Sequence, residues 1–82
     1  MAEVTINTKF GETIIRAKNA RIDDWRGWTT EIENKHSGKF YESSYDSLTN
    51  ANEDVRWLAN NPEYVENAIA FVREEKIQGR WQ

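Results

Sequence analysis

The sequence predicts an α+β fold: a four-stranded antiparallel sheet with two C-terminal antiparallel helices on one face. Three observations carry this. The first half alternates apolar and polar residues with a period of two, which is the pattern of half-buried strands. The second half carries apolar residues at helical spacing, with cap and breaker residues at its joints. Strands followed by helices, without interleaving, argue for a segregated sheet and helix layer. At 82 residues the chain makes one domain, 1–82.

The elements follow in order. Val4, Ile6, Thr8 and Phe10 alternate with Thr5, Asn7 and Lys9, giving a first strand. Gly11-Glu12 is expected to turn the chain into a second strand from Thr13 to Asn19, with Ile15 and Ala17 on one face and Ile14, Arg16 and Lys18 on the other. Ala20 to Gly27 is polar and reads as irregular. Trp28 to Glu33 forms a third strand, with Trp28, Thr30 and Ile32 sharing a face. Asn34 to Gly38 is a turn, Gly38 supplying a positive φ. Lys39 to Ser44 is the fourth strand, and a sheet of this kind keeps one solvated face.

Asp46 or Ser47 caps the first helix, whose stripe is Leu48, Ala51, Val55 and Leu58, with Trp57 beside it. It ends near Asn60, because the residue before Pro62 is pushed out of the α region. Asn61 as N-cap, Pro62 at the first helical position and Glu63 beside the helix dipole restart the chain. Val65, Ala68, Ile69, Val72 and Lys76 or Ile77 form the second buried stripe. Gly79 is the stop.

Composition narrows the function classes. There is no cysteine, and His36 is the only histidine, so neither a disulfide scaffold nor a zinc staple is expected. A domain this small buries only about 60–65% of its unfolded surface. Four Trp, three Tyr and three Phe must supply much of that burial. Met1 to Asn7 is neither basic nor a continuous apolar run, and no stretch approaches the length of a membrane span. The chain is expected to be soluble and cytoplasmic, without membrane contact.

Catalytic equipment is sparse. His36 lies in a turn beside Ser37, but a nucleophile and base need a third group and an oxyanion site. Asp23/Asp24, Glu53/Asp54 and Glu74/Glu75 read as solvated carboxylates rather than a metal site, which would need several more converging oxygens. The four scattered glycines make no phosphate loop. No enzyme activity, metal or cofactor is expected.

The binding candidates are Asp23, Asp24, Trp25, Arg26 and Trp28, of which Trp and Arg are types enriched at interface hot spots. Trp28 as core and Trp25 as cover for the sheet edge is the competing reading, and Trp81 stands between core and interface in the same way. Tyr41 and Tyr45 fall opposite Phe40 in the alternation, so either the Phe or the Tyr set faces solvent. Glu31 and Glu33 on the opposite strand face add partner-binding carboxylates. Residues 1–41 hold seven Lys/Arg and six Asp/Glu, and residues 42–82 hold four and eight. The acidic half suits a basic protein surface. A basic streak of Lys9, Arg16, Lys18, Arg21 and Arg26 suits nucleic acid instead.

Two resemblances bear on this choice. Trp28, the turn at Gly38-Lys39, Phe40, and Tyr45 to Ala51 opening a helix are similar to three-stranded-sheet DNA-binding domains, such as a plant type and the arm-binding domains of phage integrases. This chain departs from them in the acidic residues on its sheet. Over more of the chain, the Gly-Lys turn, the Tyr45-Asp46-Ser47 helix start, Trp57 and Glu66-Asn67-Ala68 resemble a small anti-CRISPR family of type I-F systems. That resemblance implies a sheet-plus-two-helix inhibitor that binds a surveillance-complex subunit and blocks target DNA. It carries over no binding residues.

The expected function is therefore a non-enzymatic, phage- or mobile-element-encoded inhibitor. It would occlude a host protein that handles nucleic acid. The alternatives are a small DNA-binding accessory domain and a homo-oligomer closed by exposed aromatics.

Overall fold

The computed structural model describes residues 1–79 and, at Ile22, the backbone alone. Trp81, left between core and interface above, lies outside the described residues.

Four strands run in the order β1 (Glu3–Thr8), β2 (Gly11–Ile22), β3 (Trp25–Asn34) and β4 (Gly38–Tyr45), each antiparallel to the next. Helices α1 (Leu48–Ala59) and α2 (Pro62–Ile77) follow. The α+β class, the four-stranded antiparallel sheet and the two C-terminal helices agree with the sequence reading. The extents of 30 × 28 × 15 Å describe a thin slab: among the described residues there is one sheet and one helix layer, and no second layer on the far side of the sheet.

The alternation of side chains sorts the two faces. Val4, Ile15, Ile32 and Phe40 are paired in register across all four strands and form an apolar row on the helix side. Ala51, Val55 and Leu58 of α1 and Val65, Ile69 and Val72 of α2 close over that row in one continuous core. Each fully buried aliphatic side chain contributes about 1.5–3 kcal/mol, so this row and these stripes hold the two layers together.

Three sequence expectations are corrected. The β1–β2 turn is Lys9-Phe10, not Gly11-Glu12: Thr8 pairs with Gly11, whose φ is +94°. Phe10 leaves the strand and stacks on His36, with ring centroids 4.5 Å apart. His36 is thereby a half-buried turn residue. Secondly, residues 20–27 are not irregular. β2 and β3 run on to the pair Ile22–Trp25, closed by the two-residue turn Asp23-Asp24. Asp23 takes φ +53°, which aspartate tolerates better than most residues. Thirdly, Lys76 and Ile77 are both exposed, so the second stripe ends at Val72, and Lys76 donates to the Ser37 carbonyl at 2.6 Å.

The caps work as the residue types suggest, with one exchange. Ser47 Oγ accepts from the Asn50 amide at 3.2 Å, so Ser47 rather than Asp46 caps α1. Asn61 is the N-cap of α2 by position, but its side chain makes no cap bond there. It donates backwards instead, to the Trp57 carbonyl at 2.7 Å, satisfying the C-terminal end of α1. Gly79 follows α2 with φ +74°. No helix among the described residues is long and apolar enough to cross a membrane.

Candidate functional site

The uncovered face of the sheet carries a charged row beside the apolar one. Glu3, Arg16, Glu31 and Tyr41 are register partners across the four strands. Arg16 is the centre. Its guanidinium donates to Glu3 and to Glu33, each at 3.0 Å, and to Glu31. Lys18 meets Glu31 from the other side at 3.4 Å. The hydrogen bond to Glu3 does most to hold the Arg16 charge above its ordinary range. Those to Glu31 and Glu33 add to it, and partial burial opposes.

The consequence is a cross-linked patch in which Glu3, Glu31 and Glu33 share the cations Arg16 and Lys18. Glu31 is only 3% exposed although no helix covers this face. Its charge is shielded by the two cations rather than by an apolar lid, which is how a carboxylate can be buried at all. The basic streak seen in the sequence is broken by the same contacts, since Arg16 and Lys18 are already matched by carboxylates.

The β2–β3 hairpin places the other predicted residues. Trp25 lies on the open face and is half-buried. Its indole folds over Gly27, where an added Cβ would stand 2.3 Å from Trp25 Cζ2. Ala20, the cross-strand partner of Gly27, is buried there. Trp28 points to the helix side, half-buried against the core, with Tyr45 as its register partner. Arg26 is exposed on that same side, opposite Arg21, and neither is among the ion pairs of the described residues.

The seven predicted contact residues therefore do not form one patch. Asp23 and Asp24 sit at the hairpin tip, Trp25, Glu31 and Glu33 on the open face, and Arg26 and Trp28 on the helix side. The spacing explains the split, because Trp25 and Trp28 are three residues apart in a strand of period two.

The Phe40-or-Tyr alternative is also resolved. Thr30 pairs with Ser43 and Glu31 with Tyr41, so Glu42 bulges without a partner on β3. A bulge shifts the alternation by one residue. Phe40 and Tyr45 thus both meet the core, and Tyr41 alone stands exposed on the open face.

A second aromatic group escaped the sequence reading. Trp57 near the end of α1 and Tyr64 at the start of α2 are each about half exposed. Their rings meet edge to face at 5.2 Å and 77°. The Tyr64 hydroxyl donates to the Glu42 carboxylate on the bulge. That bond, together with the charges of Glu42 and Asp54, raises the Tyr64 phenol above its ordinary value. Asp54 accepts from Thr30 Oγ1 at 2.8 Å. With Ser43 and Leu58 these four side chains line an open notch of about 350 Å³. The available signal was Trp57 standing one residue off the buried stripe of α1, which turns it outward rather than into the core.

No group of three or more metal-ligating side chains occurs among the described residues. Compared with known proteins, the chain matches no family model, no curated protein and no solved structure at a significant level.

Proposed function

We propose that this chain is a non-enzymatic protein-binding inhibitor, cytoplasmic and encoded by a phage or mobile element. It acts by occluding a host protein that handles nucleic acid, such as a CRISPR surveillance complex. The observation that carries this reading is the slab itself: helices cover one face of the sheet only. The other face offers Trp25 and exposed Tyr41 around a charged row that is fixed before any partner arrives.

Such a surface suits a protein partner. The cross-strand ion pairs hold Arg16, Glu31 and Glu33 in one arrangement, so little side-chain entropy is lost on docking. Tyr41 is an aromatic of the kind that anchors interfaces. The acidic residues of the second half speed association with a basic, nucleic-acid-binding surface. The resemblance to the small type I-F anti-CRISPR family points the same way. Matching of Arg16 and Lys18 by carboxylates leaves the DNA-binding alternative with a weaker phosphate surface on this face.

The test is capture from nuclease-treated bacterial lysate with tagged protein and its Tyr41→Ala variant. A single stoichiometric protein, lost with Tyr41→Ala while the fold is kept, is expected. Recovery only when nucleic acid is left intact would favour the DNA-binding alternative.

A further inference from the structure

We infer that the notch between Trp57 and Tyr64 is a receptor for one arginine side chain of the partner protein. Two walls of the notch are aromatic and its polar groups are the carboxylates of Glu42 and Asp54. The electron-rich faces of Trp and Tyr attract cations, and the planar guanidinium both stacks on a ring and pairs with a carboxylate. An apolar occupant would meet two unneutralised carboxylates, and an anion would be repelled by them.

The notch is preformed. Asp54 lies three residues before Trp57, so the two side chains are neighbours on the surface of α1. Thr30 holds the Asp54 carboxylate, and Tyr64 holds that of Glu42. Both of these bonds come from neutral hydroxyls, so neither charge is cancelled. Among the described residues no Lys or Arg forms an ion pair with Glu42 or Asp54. Arg56 is next to Trp57 in sequence but lies about 100° round the helix. The Asn61 side chain, bonded to the Trp57 carbonyl, fixes the joint that brings the two rings together.

The carboxylates on the open sheet face differ in this respect. Arg16 and Lys18 already neutralise Glu31 and Glu33 there. At the notch the described residues supply the ring faces and the negative charge, and no cation. The inference takes the source of that cation from the protein-binding reading, but the chemistry of the notch can be tested alone.

The test is an NMR titration of the isotope-labelled full chain with N-acetyl-arginine amide. N-acetyl-citrulline amide, its neutral isostere, is the control. The indole N–H of Trp57 is assigned by its loss in Trp57→Phe. Saturable shifts at Trp57 and Tyr64 are expected with arginine, and about tenfold weaker binding with citrulline. The double variant Glu42→Gln/Asp54→Asn keeps acceptors for Tyr64 and Thr30, so it keeps the fold, and is expected to weaken arginine binding by about tenfold. Equal shifts with citrulline, or arginine binding unchanged in the double variant, would overturn the inference.

With a captured partner, Trp57→Ala is expected to weaken the complex. A complex lost with Tyr41→Ala but indifferent to Trp57→Ala would overturn the arginine receptor and leave the protein-binding reading standing. Arginine binding at the notch without any captured partner would do the reverse.

Discussion

The indole of Trp25 fills the space that a side chain at position 27 would need. A Cβ on Gly27 would stand 2.3 Å from Cζ2 and 2.8 Å from Cη2 of Trp25, and 2.7 Å from the Tyr45 carbonyl oxygen. Gly27 is thus required for room, and the ring in return covers a strand position that has no side chain of its own. Gly27→Ala is expected to cost about 1–3 kcal/mol in denaturant unfolding, as overpacking does. Adding Trp25→Ala should recover only part of the loss, because the backbone of Tyr45 remains in the way. Full recovery would show that the clash is with the ring alone.

Trp25→Ala by itself uncovers Ala20 and Gly27. It should cost less than the about 3–5 kcal/mol of a fully buried aromatic, because Trp25 is only half-buried. This makes Tyr41 the cleaner probe of the open face. Thermal unfolding of both variants checks this, with Tyr41→Ala expected to leave the midpoint near that of the parent.

Arg16 serves three carboxylates, and its loss leaves Glu31 buried with only Lys18 as a distant partner. Arg16→Ala is expected to destabilise by about 3–5 kcal/mol, the cost of stranding a buried charge. Glu3→Ala removes a solvent-exposed partner and is expected to cost about 0–1 kcal/mol. Urea unfolding of the two variants should separate them clearly. Equal costs would mean that the Glu31 pair is no more shielded than the rim.

One amide ties the β1–β2 turn to the β3–β4 turn. Asn34 Nδ2 donates to the Glu12 carbonyl at 3.1 Å, the Phe10 carbonyl at 3.3 Å and Thr13 Oγ1 at 2.8 Å. Its Oδ1 accepts from the His36 amide at 2.7 Å. Asn34→Ala leaves these buried groups short of partners and should cost about 1–3 kcal/mol. Faster amide exchange at His36 would locate the effect.

Tyr64 carries a pH dependence whose sign follows from its hydrogen bond to Glu42. Its phenol is raised above the ordinary 10.0 in the folded chain. The stabilisation is therefore fully present below the unfolded value and is lost as pH rises through the folded one. In an ultraviolet titration one of the three tyrosines should ionise late, and Glu42→Gln should draw it back towards the ordinary value. No change in Glu42→Gln would break the link between the bulge and α2.

The strands and helices were legible because their periodicities differ, and Val4, Ile15, Ile32 and Val55 all fell on the expected faces. The β2–β3 hairpin was hidden by polarity. Asn19, Arg21 and Arg26 mask an alternation that runs on through Ala20, Ile22 and Trp25 to either side of Asp23-Asp24. The bulge at Glu42 was illegible for another reason: a one-residue slip leaves no trace in composition, yet it decides that Tyr45 joins Phe40 and Tyr41 does not. The notch depends on that slip and on a helix joint, so its members Glu42, Asp54, Trp57 and Tyr64 share no local pattern. Asn61 shows how residue type can mislead, since it caps the helix behind it with its side chain rather than the one ahead.

The proposed occlusion of a nucleic-acid-handling protein by the open face of the sheet would change how that protein binds nucleic acid. The most direct measurement is the affinity of the captured partner for a labelled oligonucleotide, read by fluorescence anisotropy with and without saturating protein. Loss of oligonucleotide binding with the parent chain, and its retention with Tyr41→Ala, is the result expected of occlusion. Unchanged oligonucleotide affinity in the presence of a fully formed complex would contradict it.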